Sequence, residues 1–216
     1  MSKRLVIFDL DGTLLDTIGD LASACNFVMR THGWPEHDEA LYRMMVGNGI
    51  NKLIERALPE HVRSAETAER LRPEFIAYYN GHIDERTVPY CGIPELLGSL
   101  SRRGIMTAVA SNKYMEGTQR LIGKFFADIP FVAVLGQRAG IPVKPDPTIV
   151  NEIMQKASVS LSDTLYVGDS GVDMLTAANA GVESVGVLWG FRHREELEQN
   201  KACHIVDTAG KISDLV

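Results

Sequence analysis

From residue 88 onward the chain repeats one rhythm: a short apolar run, a polar cluster, then a stretch with helical spacing. The runs at 105–110, 131–135, 165–167 and 184–188 are too short for buried helices. Helical spacing occupies 94–100, 114–125, 147–157 and 172–180, with Pro94 at one start and Gly104 and Gly181 as stops. Strands separated by helices cannot form tight hairpins, so they run parallel with helices crossing both faces. The run Leu5, Val6, Ile7 and Phe8 has the same form and supplies an opening strand. The fold expected is therefore α/β, a doubly wound parallel sheet, which binds its ligands beyond the carboxyl ends of the strands.

The interval between the opening strand and residue 88 is different. Ile18, Leu21, Ala22, Cys25, Val28 and Met29 recur at helical spacing, with Asp16 or Thr17 as cap and Gly33 and Pro35 as terminators. A second pattern covers 44–58, ended by Pro59, and a third covers 61–82, where Pro73 warns of a kink. The reading is an α/β core of residues 1–16 and 87–216 with a small all-helical domain, 17–86, inserted after the first strand and hinged near Asp16 and Arg86. The 216 residues carry a net charge of −6, which argues against nucleic acid or an anionic membrane as partner and leaves small molecules. No apolar run approaches the roughly 18 residues of a membrane span, and the four residues after Lys3 and Arg4 are too few for a signal-peptide core. Cys25, Cys91 and Cys203 are odd in number and far apart, and read as buried thiols in a reducing cytoplasm, neither a disulfide framework nor a zinc site.

Several strands end in polar clusters: Asp9 and Asp11, then Ser111, Asn112 and Lys113, then Asp169 with Asp173. Strand alternation would put Asp9 and Asp11 on one side if strand geometry persists that far. Paired carboxylates at the end of a buried strand repel unless a cation, a shared proton or a catalytic role justifies them. Taken alone, D-L-D-G equally fits a strand followed by an Asx-type turn. Lys144, held between Pro142 and Pro145, is the one cation in a rigid local setting, while Lys113 and Lys124 read as solvated surface lysines.

With D-L-D-G-T at 9–13, Ser111, Lys144 and G-D-S-x-x-D at 168–173, the sequence resembles the haloacid dehalogenase superfamily, in the branch with a helical cap after the first strand. The resemblance covers essentially the full chain and implies phosphoryl transfer. Asp9 would be the nucleophile, forming an aspartyl-phosphate, and Asp11 the general acid and then base. Mg2+ would sit on Asp9 and Asp169 and the main-chain carbonyl of Asp11, with Asp173 acting behind them or through water. Ser111, with main-chain N–H groups near Asn112, would bind the phosphoryl oxygens, and Lys144 would neutralise charge. Dehalogenases and phosphonate-cleaving relatives lack the second aspartate, so the presence of Asp11 disfavours both.

Selectivity would come from the cap. The loop V-G-N-G-I, through Gly47, Asn48 and Gly49, is the expected substrate-facing segment, flanked by Arg43 and Lys52, which could meet an acidic substrate. Within the superfamily the outline is most similar to the phosphoglycolate phosphatases, which implies 2-phosphoglycolate as a substrate. A sugar phosphomutase like β-phosphoglucomutase, an inorganic pyrophosphatase and a non-catalytic phosphometabolite sensor are the other readings. The assembly expected is a monomer or homodimer.

Overall fold

The computed structural model describes residues 3–216. In chain order the elements begin with β1 (Leu5–Phe8), β2 (Leu15–Asp16), α1 (Ile18–Thr31), α2 (Glu39–Met45), α3 (Ile50–Ala57) and α4 (Ala65–His82). They continue with β3 (Val88–Pro89), α5 (Ile93–Arg102), β4 (Met106–Tyr114), α6 (Met115–Phe125) and β5 (Ala133–Gln137). The last are α7 (Thr148–Ala157), β6 (Thr164–Gly168), α8 (Gly171–Ala180), β7 (Glu183–Val187), α9 (Arg194–Gln199) and β8 (His204–Val206).

Six strands form one parallel sheet in the order β5-β4-β1-β6-β7-β8, so the fully buried β1 is flanked on both sides. Phe8 stands level with Val109 of β4 and Val167 of β6. The two-residue period of the strands divides the core. Val6, Phe8, Val109, Leu165 and Val167 join one apolar layer with α5 and α6. Leu5, Ile7, Ala108, Ala110 and Tyr166 join the other, with α7 and α8. From β1 the chain passes to β4 and β5 on one side, then crosses back to β6 on the other. The crevice beyond β1, β4 and β6 is thus the switch point at which such sheets bind ligands.

Helices α1–α4 bury Met29, Tyr42, Ile54 and Phe75 in the layer that carries Phe8. They leave and rejoin the sheet through a short antiparallel ribbon, Leu15 opposite Pro89 and Asp16 opposite Val88, which the sequence reading did not foresee. Beside it the buried Asp20 carboxylate accepts from the Arg86 and Thr87 amides and from the Thr87 hydroxyl (2.7 Å).

Of the three cysteines expected to be buried, Cys25 is, but Cys91 and Cys203 are exposed. Other differences have local causes. The single helix expected over 44–58 is two, because Gly47 and Gly49 take φ of 120° and 83° and break it. Pro73 does not interrupt α4. The run at 184–188 is not the last strand; α9 and the three-residue β8 follow, the latter too short to show a period. Thr17 precedes α1 as expected but makes no cap bond, its hydroxyl donating to Asp11 instead (2.7 Å).

Candidate active site

The strand ladder extends one residue past β1, since the Asp9 amide donates to Val167 O (2.9 Å). Asp9 is thereby fixed beside the ends of β4 and β6. The chain then turns, with Leu10 O accepting from Thr13, Leu14 and Leu15, so strand geometry does not reach Asp11 and the two carboxylates join separate clusters.

The first cluster surrounds Lys144, which is 2% exposed. Its Nζ lies 2.9 Å from Asp9 Oδ1, 2.8 Å from Asp173 Oδ1 and 3.0 Å from the Tyr166 hydroxyl. Burial works against the ammonium, yet Asp173 and Asp9 outweigh it and hold its pKa well above the usual lysine range. Asp173 is fully committed: Oδ2 accepts from the Ser170 amide and hydroxyl, in a capping box at the start of α8. Asp9 is not. Lys144, at Oδ1, is the one side-chain partner of its carboxylate among the described residues. Burial pushes the Asp9 carboxyl up to about 7; Lys144 opposes the rise, and Asp173 and Asp11 add to it. Burial, then Asp173 and Asp9, likewise raise Asp169 well above the ordinary carboxylate value, against a bond from the Phe191 amide (2.7 Å).

The second cluster corrects the reading of Lys113 as a surface residue. Lys113 is 4% exposed. Its Nζ lies 3.0 Å from Asp11 Oδ1 and donates to the Tyr79 hydroxyl of α4 (2.9 Å). With Thr17 also on Oδ1, that oxygen accepts in either protonation state, so a transferable proton belongs on Oδ2. Ser111 Oγ accepts from the Lys113 amide (3.2 Å), which leaves its own O–H to donate outward. The Asn112 side chain is a bracket: it accepts from the Lys144 amide (2.8 Å) and donates to Lys144 O and Gly47 O. Lys124 is on the surface as expected, paired with Asp84.

Between the sheet edge and the helices lies a cavity of about 40 Å³, lined by Asp9, Asp11, Ser111, Lys113 and Asp169 below and by Leu21, Gly47, Gly49, Ile50, Leu53 and Tyr79 above. A single water needs roughly 10–15 Å³, so the space suits a small ligand. Of the loop residues expected to face it, Gly47 and Gly49 do. Asn48 does not: its side chain accepts from Arg56 (2.8 Å). Lys52 is exposed and paired with Glu55, since its place on α3 turns it away from the buried Leu53 face. Arg43 is drawn aside by Asp16 (3.5 Å) and the Phe191 ring.

A family model described as haloacid dehalogenase-like hydrolase matches residues 6–187. The chain belongs to that family. A phosphoglycolate phosphatase of Mesorhizobium japonicum is 36% identical over 202 residues, 92% of this chain and 89% of the relative. One from Vibrio parahaemolyticus is 34% identical, over 99% and 96%. The crystal structure of a protein from Lactobacillus delbrueckii subsp. bulgaricus, provisionally classed as a phosphoglycolate phosphatase, superposes with a TM-score of 0.92 at 30% identity, covering 99% and 98%.

In this haloacid dehalogenase-like hydrolase the acidic cluster fits a divalent cation. Asp9, Asp169 and Asp173 each bring a carboxylate oxygen within 4.8 Å of the others. These three carboxylates share one buried ammonium, which pairs with only Asp9 and Asp173, and Thr13 Oγ1 stays unpartnered among the described residues. A hard dication that prefers carboxylate oxygens answers that imbalance. The Asp11 side chain is outside this group.

Sequence reasoning missed the W-G-F-R loop, 189–192, although it follows the carboxyl end of β7. Gly190 packs so tightly that a Cβ there would lie 2.2 Å from Asp169 Cβ and 2.4 Å from Gly12 O. Gly190→Ala is expected to displace Asp169 and, if that carboxylate holds a divalent cation, to raise the Mg2+ concentration for half-maximal thermal stabilisation at least about tenfold. An unchanged Mg2+ titration would remove Asp169 from the cation site. Tyr79, Tyr166 and Lys113 were also missed, being helix-stripe and strand residues whose polar ends show only in three dimensions.

Proposed function

We propose that the chain is a magnesium-dependent phosphatase of small phosphate monoesters, acting through an aspartyl-phosphate on Asp9. The observation that carries this reading is the division of labour between the two carboxylates. Asp9 is buried with Lys144 as its one side-chain partner, at Oδ1, while Asp11 is held apart with Lys113 and Thr17 both on its Oδ1. A nucleophile needs the first setting and a proton carrier the second.

In the reaction so read, an Asp9 carboxylate oxygen attacks phosphorus, the ester P–O bond breaks, and the leaving oxygen takes the proton on Asp11 Oδ2. Water then attacks the acyl phosphate, gives its proton to Asp11, and releases phosphate and free Asp9. Lys144 offsets negative charge beside Asp9, Asp173 holds Lys144, and Ser111 and the main-chain N–H groups that follow it bind phosphoryl oxygens. Mg2+ on Asp9 and Asp169, with the Asp11 carbonyl, would supply further Lewis-acid neutralisation of those oxygens.

Residues 17–86 act in this reading as a cap, hinged at the β2–β3 ribbon, that covers the small cavity. The names of the full-length relatives make 2-phosphoglycolate the first substrate to try. Phosphate release from it should require Mg2+, stop with EDTA and be indifferent to an added sugar bisphosphate. Turnover that appears only with the bisphosphate would indicate a mutase, and faster release from pyrophosphate than from any monoester a pyrophosphatase.

A further inference from the structure

Each residue of the 189–192 loop touches the acidic site or the helical cap. Trp189 Nε1 donates to Thr13 O (3.0 Å), Gly190 packs on Asp169, and the Phe191 amide bonds the Asp169 carboxylate. The Phe191 ring lies under Arg43 of α2 (5.6 Å). Arg192 reaches furthest, donating to the carbonyls of Arg43, Met44 (3.2 Å) and Val46 (2.6 Å).

The Arg43 and Met44 carbonyls are C-terminal acceptors of α2, at the negative end of its dipole, where a cation is favoured, and Val46 is the extended residue that follows the helix. Arg56, from within the helical segment, takes the remaining one, Met45 O (2.6 Å). The end of α2 is therefore closed by two arginines, one from each side of the cavity. Behind Arg192, Glu196 forms an ion pair with its Nε (3.2 Å) and accepts from the Gly171 amide (2.8 Å), two residues beyond Asp169. Arg192 thus has a route to Asp169 through the Phe191 main chain and another through Glu196 and α8.

We propose that Arg192 is a positioning residue that couples cation occupancy at Asp169 to closure of the helical segment over the cavity. A cation that fixes Asp169 fixes the loop 189–192, and the loop fixes the end of α2 and the Val46–Gly49 turn that walls the substrate. The coupling is reciprocal: an unlatched cap weakens cation binding by the same factor as an empty cation site loosens the cap. This rests on the proposed Mg2+ site.

The test is hydrogen–deuterium exchange of residues 43–50 with and without Mg2+, alongside Mg2+ titrations followed by melting temperature. In the unaltered protein Mg2+ should slow exchange there by about 5–150-fold, the usual range of coupling between sites. In Arg192→Ala that slowing should disappear and Mg2+ binding weaken by a similar factor, while saturating Mg2+ still raises the melting temperature. Arg192→Lys, which keeps the charge but cannot span three carbonyls, should behave like Arg192→Ala. Arg56→Ala removes a cap of the same helix end from within the segment, so it should speed exchange equally with and without Mg2+. Unaltered Mg2+ protection in Arg192→Ala overturns the inference and leaves the phosphatase reading standing. No Mg2+ effect on the melting temperature of the unaltered protein overturns both.

Discussion

Asp9→Asn removes turnover and leaves the fold standing. The amide oxygen is a poor nucleophile, and loss of a covalent nucleophile costs at least about 10⁴-fold in kcat in enzymes that depend on one. Stability moves the other way. The Asp9 carboxyl, raised by burial from 3.8 to about 7, keeps its proton in the folded chain over a range where the unfolded chain has lost it. The folded state binds more protons there, so in metal-free buffer this group costs stability as pH rises from 3.8 to about 7, and the cost persists above that. Asparagine carries no such cost, and Lys144 retains Asp173 as its counter-ion. At pH 8 without Mg2+, Asp9→Asn should melt at or above the unaltered protein; with Mg2+ it should gain less. Phosphate release within tenfold of the original rate would end the assignment of Asp9 as nucleophile. A collapsed melting temperature would show that any lost activity reflects the fold.

The sheet was legible because β1, β4 and β6 are short apolar runs that end in polar residues, a local pattern that burial enforces. The motif positions were legible for the same reason: Asp9 and Asp169 stand just past strand ends and Ser111 follows the apolar run of β4, and the structure brings Asp9, Asp169, Asp173 and Lys144 together. What stayed hidden depends on partners distant in sequence. Lys113 looks like a solvated lysine until Asp11 and Tyr79 close on it. Asn48 and Lys52 looked available until Arg56 and Glu55 were found beside them. Loop 189–192 has no period to read, and its role lies in main-chain groups and in a glycine whose missing Cβ makes room for Asp169. Periodicity reports which face is buried; it does not report which polar tip a buried side chain meets.

Lys144→Met separates stability from chemistry at the same centre. The ammonium is the one buried cation between Asp9 and Asp173 among the described residues, so its loss strands two carboxylates in a low-dielectric pocket. Removing one member of a buried ion pair costs roughly 3–5 kcal/mol, and urea unfolding in metal-free buffer should show a loss of that size. Mg2+ must be left out, because a dication at the same carboxylates would offset part of it. The same variant should lose at least about 10²-fold in kcat with Mg2+ restored, since the charge developing on the phosphoryl oxygens loses its fixed counter-charge. Adding Asp173→Asn tests the cause. The double variant takes away the second stranded charge while the asparagine oxygen can still accept from Ser170, so it should regain much of the stability and none of the activity. The interaction between the two substitutions should then amount to about 0.5–3 kcal/mol, as for side chains in direct contact. A double variant as unstable as Lys144→Met alone would mean that the lysine stabilises by packing against Tyr166 and not by pairing with Asp173.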